Sequence, residues 1–95
     1  LSSIDLSDCG ALTDLNCSYC PTLKELDLSD NDMVITVNAS YCSELEDLNC
    51  VGRSKLTTLN LTNDYALKDV NVSDCTALSS LTLTGTTALV PTIPI

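Results

Sequence analysis

Apolar residues recur along this chain with a period of eleven. Leu1, Leu12, Leu23, Val34, Leu45, Leu56, Leu67, Leu78 and Leu89 follow one another without an insertion or deletion. Three residues after each stands a second apolar column: Ile4, Leu15, Leu26, Val37, Leu48, Leu59, Val70 and Leu81. Two further on comes a third: Leu6, Cys17, Leu28, Ala39, Cys50, Leu61, Val72 and Leu83. The columns fail only at Thr92 and Pro94, in the last, partial unit. Each unit reads L-x-x-L-[DN]-L-[ST]-x-[CN]-x-x. Its segment L-[DN]-L-[ST] alternates apolar and polar residues, the period-two signature of a strand. Gly52, Gly85, Pro21 and small polar residues punctuate the stretches between. No window of ten residues carries a helical period, so almost no helix is expected.

An eleven-residue coil is too short. Opposed sheets stand about 10 Å apart and a strand advances about 3.3 Å per residue, so crossing the gap twice uses about six residues. Twenty-two residues per coil, with two short strands on opposite faces, fit better. Such a coil makes odd and even units inequivalent, and charge shows that they are. Units starting at 1, 23, 45 and 67 hold 14 of the 17 charged residues. Units starting at 12, 34, 56 and 78 hold only Asp14, Glu44 and Asp64. The predicted fold is therefore all-β: a parallel β-solenoid of about four coils, 22 residues each, with apolar ladders meeting inside. Its hand is expected to be right, as in most parallel crossovers. Residues 1–95 form one domain with a degenerate end at 89–95, where Pro91 and Pro94 remove ladder donors. Leu1 begins in register with no cap, initiator Met or signal peptide before it, which reads as a piece of a larger protein.

The segments LSSIDLSDCG at 1–10 and LKELDLSDND at 23–32 resemble the LxxLxLxx[NC] consensus of leucine-rich repeats. A second such segment follows each first one at once. That is similar to the short bacterial repeats called IRREKO, in which an 11-residue unit is nested in a 21–22-residue one. The resemblance spans residues 1–89. It departs at the Asn/Cys position, where only Asn31 is Asn, Cys9, Cys20, Cys42 and Cys75 are Cys, and Arg53, Asp64 and Thr86 are neither. The resemblance implies a non-catalytic scaffold that binds protein or glycan, at the surface of a bacterium or secreted from it, with no cofactor.

Composition narrows the partners. Thirteen acids, four bases and no histidine give a formal charge of −9. A phosphate-backbone binder needs a basic patch, so nucleic acid is not an expected partner. Nor are anionic membranes. No apolar run approaches the ~18 residues of a spanning helix, so membrane insertion is not expected. Without histidine the usual proton shuttle near neutral pH is missing. Repeating acids across the odd units single out no catalytic pair, so no catalytic residue is expected.

Six cysteines suggest either a disulfide framework or ordinary core thiols. The repeat favours thiols, because Cys17 and Cys50 stand in an inward column. Stacked neighbours lie 22 apart, and only Cys20 and Cys42 satisfy that spacing, so theirs is the single conceivable bridge. The Cys17–Cys20 pair lacks a second CxxC, so no metal site is expected. Acidic clusters such as Asp30–Asp32 read as a solvated face rather than a calcium site. The sequons at Asn16, Asn38, Asn60 and Asn71 fall out of the repeat itself, and whether they are modified stays open.

The even face is the distinctive feature. Its outward residues are predicted to be Asp14-Asn16-Ser18, Thr36-Asn38-Ser40, Thr58-Asn60-Thr62 and Ser80-Thr82-Thr84, with Tyr19 and Tyr41 stacking beside them. The candidate interaction face is Tyr19, Thr36, Asn38, Ser40, Tyr41, Thr58, Asn60, Thr62, Ser80, Thr82 and Thr84. Thr and Ser also simply suit an exposed sheet. Two further readings stand beside ligand binding. One is self-association through the solenoid ends, whose strand edges are unpaired. The other is ice binding by a Thr-rich face.

Overall fold

The computed structural model describes residues 4, 6 and 8–86. The expectations for Leu1, Asp5, Leu89 and the proline-containing end lie outside the described residues. The seven strands are β1 (Asp14–Asn16), β2 (Glu25–Asp27), β3 (Thr36–Asn38), β4 (Asp47–Asn49), β5 (Thr58–Asn60), β6 (Asp69–Asn71) and β7 (Ser80–Thr82). Among the described residues there is no helix. Odd-numbered strands form one sheet, in the order β1-β3-β5-β7, and even-numbered strands form the other, β2-β4-β6. All pairs are parallel. Leu15 faces Val37, Val37 faces Leu59, and Leu59 faces Leu81 on one sheet. Leu26 faces Leu48, and Leu48 faces Val70, on the other. The chain is thus a parallel β-solenoid with coils 22 residues apart. The described residues make about three turns, fewer than the four expected. The fourth coil includes terminal units that lie partly outside the described residues.

The strands are three residues long, shorter than the alternating pattern suggested. The fifth residue of the unit ends them. Asn38 Oδ1 accepts the Ser40 N–H at 3.1 Å and the Ser40 Oγ–H at 2.7 Å. Asn16, Asp27, Asn49, Asn60 and Asn71 likewise accept the N–H two residues on. This Asx turn bends the backbone off the strand. The eighth residue then takes a positive φ at Tyr19, Tyr41, Asn63, Asp74, Gly52 and Gly85. A second corner follows, closed by the N–H of the next unit's first residue donating to the carbonyl of the ninth, as Leu45 does to Cys42. Two tight corners per unit explain how eleven residues cover half a coil.

Between the sheets the three apolar columns pack solid. Leu23, Leu28, Val37, Leu45, Leu56, Leu59, Leu61 and Leu67 have no exposed surface. Burying each such side chain stabilises by about 1.5–3 kcal/mol before ordering is counted. Toward the ends the same columns are only half-buried, at Ile4, Leu6, Leu15, Leu78, Leu81 and Leu83.

Candidate functional site

The sheet β1-β3-β5-β7 carries the predicted face, and the structure sorts its residues into two groups. Position three supplies Thr36, Thr58 and Ser80 in register, with Asp14 at the edge. Position five supplies Asn16, Asn38, Asn60 and Thr82. The asparagines keep their Oδ1 atoms on their own turns, so what they offer outward is an amide N–H.

Position seven departs from expectation. Ser40 is only 5% exposed, so it does not belong on an outward face. Ser18 and Thr62 are half-buried, and each hydroxyl donates to the asparagine two residues before it, at 2.7 and 2.6 Å. The strand has ended by this position, so strict alternation no longer decides which way the side chain turns. Thr84 has a threonine, not an asparagine, two residues before it, and it is exposed.

Past the turn, Tyr19 and Tyr41 stand one above the other. Their rings are parallel within 2° and their centroids are 4.7 Å apart. Tyr19 is 70% exposed and Tyr41 43%. Both have φ near +60°, a region that crowds Cβ and that bulky residues rarely adopt. The same position on the next coil holds Asn63, and on the one after it Gly85, whose missing Cβ leaves room for the Asn63 side chain. Backbone hydrogen bonds lock the pair: Tyr19 N–H donates to Ser40 O and Tyr41 N–H to Thr62 O.

At the other end of strand β3 lies a residue that the repeat pattern did not flag. Ile35 is 40% exposed, and nearby Met33 41%. The signal was present, because Ile35 shares a column with Thr13, Thr57 and Ser79. The Thr57 and Ser79 hydroxyls donate to the carbonyls of Ile35 and Thr57, the residues 22 positions earlier. A strip of hydroxyls and amides thus runs between the tyrosine pair and a hydroxyl column that Ile35 interrupts.

Charge separates this face from the opposite one. Of the three charged residues in the even units, Asp14 and Glu44 are exposed and Asp64 is buried. On the other sheet Glu25, Asp47 and Asp69 stack in register. Desolvation, then a hydrogen bond and repulsion with Asp69, and then the charges of Glu25 and Glu46 push the Asp47 carboxyl above its usual range. Arg53 pairs with Asp32 on that side. Among the described residues no group of His, Cys, Asp or Glu is arranged to hold a metal ion.

The six thiols are free. Cys17, Cys42 and Cys50 are buried, and burial pushes Cys17 and Cys50 up to about 12. Cys42 Sγ donates to Cys17 O at 3.2 Å, and Cys75 Sγ to Cys50 O at 3.0 Å. These thiols act as small core residues with a weak donor. No protein-family model, curated protein or solved structure matches the chain.

Proposed function

We propose that this solenoid is a non-catalytic binding module whose protein or glycan ligand meets the sheet β1-β3-β5-β7. The observation that carries the reading is the stacked pair Tyr19–Tyr41, exposed and held at an unfavourable φ. Six corners of the repeat take a positive φ, but only at Tyr19 and Tyr41 does a bulky ring stand on one, 70% and 43% exposed, where folding gains little from it. Exposed tyrosines supply a large, rigid contact area with a polar tip. The hydroxyl and amide strip beside them offers hydrogen bonds without charge, which suits a neutral ligand approaching an otherwise acidic protein. The resemblance to short bacterial leucine-rich repeats points the same way and suggests a secreted or surface-attached parent protein.

The test is a glycan array together with a peptide library, probed with the chain and with a Tyr19→Ala/Tyr41→Ala variant. Binding that the double variant loses while keeping its fold is the expected result. Binding that survives both substitutions would place the ligand elsewhere.

A second reading, self-association end to end, draws on the half-buried Leu15, Leu81 and Leu83 and on the outer strands β1 and β7. Sedimentation across a concentration series separates the two, because a binding module stays monomeric without its ligand.

A further inference from the structure

Asp64 has no exposed surface. It stands at the ninth position of its unit, in the column that also holds Asn31, Cys42 and Cys75. In each of those three, the side chain donates to the carbonyl 25 residues earlier. Asn31 Nδ2 reaches Leu6 O at 3.1 Å and also Cys9 O at 3.0 Å. Cys42 Sγ reaches Cys17 O and Cys75 Sγ reaches Cys50 O. At these three sites the ninth residue donates from one coil to the coil before it, whereas Cys20, Arg53 and Thr86 donate to carbonyls two or three residues back. A carboxylate has nothing to donate.

The backbone at this joint is rearranged to match. In six described units the ninth N–H donates to the sixth carbonyl: Cys9 to Leu6, Asn31 to Leu28, Arg53 to Cys50, Asp64 to Leu61, Cys75 to Val72 and Thr86 to Leu83. At Cys20 and Cys42 this bond is missing, and the Cys42 N–H goes instead to Asp64 Oδ1, at 2.8 Å. The Ala39 carbonyl loses its turn donor, and Ala39 is the residue 25 before Asp64. Asp64 Oδ2 is buried with no partner. The 25-residue spacing of the column thus pairs a carbonyl that lacks its turn donor with a carboxyl whose second oxygen is buried and unpartnered, and a proton on that oxygen would supply a donor.

We propose that Asp64 is a proton-gated clasp between adjacent coils: a neutral acid whose Oδ2–H donates to the preceding coil at Ala39 or Cys42, and whose ionisation loosens the joint. The titratable groups facing it are the thiols of Cys42 and Cys17. Burial raises its carboxyl to about 7, only partly offset by the bond from the Cys42 N–H. Linkage sets the direction of the effect. A carboxyl that holds its proton more tightly folded than unfolded stabilises fully below about pH 4, and that stability is lost as pH rises through about 7.

Two measurements decide it. Carbon-13 NMR of the carboxyl groups in the intact chain should show Asp64 titrating near 7; a midpoint in the ordinary carboxylate range would overturn the proposal. Urea unfolding at pH 4 and pH 8 then compares the chain with Asp64→Asn, which keeps an acceptor for Cys42 and supplies the amide donor that Asn31 uses. The folded-to-unfolded ratio should fall between the two pH values by roughly tenfold or more beyond the fall seen in Asp64→Asn. Equal pH dependence in the two proteins would also overturn it. If Asp64→Asn fails to fold, the NMR titration of the unaltered chain still decides the matter.

Discussion

Replacing Tyr41 by alanine and, separately, by glycine measures the strain under the aromatic pair. At φ +59° an L-residue with a Cβ costs roughly 1–2 kcal/mol relative to its ordinary conformations. Glycine escapes that cost but loses about 0.5–1 kcal/mol more than alanine through its freer unfolded chain. Glycine should therefore be the more stable of the two variants, by up to about 1.5 kcal/mol. Both variants lose the ring stack, so its contribution cancels. At Thr58, in strand β5 and with no positive φ, the same pair should order the other way, alanine ahead by about 0.5–1 kcal/mol. The readout is the urea midpoint by far-ultraviolet circular dichroism, which does not depend on the tyrosine removed. Alanine equal to or better than glycine at position 41 would refute the strain argument and, with it, the main support for the tyrosine pair as a binding feature. If the argument holds, Tyr41→Gly folds nearly as well as the parent and still loses the ligand.

Two further outcomes follow from the corners and the core. Asn38→Ala leaves the Ser40 N–H and hydroxyl without their acceptor and should cost about 1–2 kcal/mol in urea melts, whereas Asn38→Asp, which copies Asp27, should cost clearly less. Thiol labelling of the native chain at pH 8 should modify Cys9 first, because it is exposed, and leave Cys17 and Cys50 untouched until the chain unfolds. Rapid labelling of Cys50 would mean that the core opens freely.

The coil length, the register and the inward columns were legible because a strictly repeated sequence lets charge report on the faces. Asp14, Glu44 and Asp64 are so few beside the 14 charges of the odd units that the two sheets separate before any geometry is known. The tyrosine stack followed from the same spacing. The extent of the strands did not. Alternation through position seven predicts an outward Ser40, but the Asn38 side chain competes for the backbone first and turns the serine in. Asp64 was invisible for a related reason. It counted as one of the few even-face charges, and only the hydrogen bonds of its neighbours show a buried acid in a column of donors. Ile35 was overlooked because one apolar residue in a polar column looks like noise until its exposure is seen.

The 22-residue register has a consequence for how such a chain can change its length. Among the described residues each strand pairs only with the strands one coil before and one coil after, in a register of 22. Duplicating or deleting one whole coil therefore keeps every later residue in its column and on its face. Adding a single eleven-residue unit also preserves the apolar columns, and the chain would still fold inward correctly. Every residue after the insertion, however, would change sheets. The neutral strip would continue as an acidic one, and any tyrosine beyond the break would project from the wrong side. Selection for the face, rather than for the core, is what would confine changes in length to whole coils.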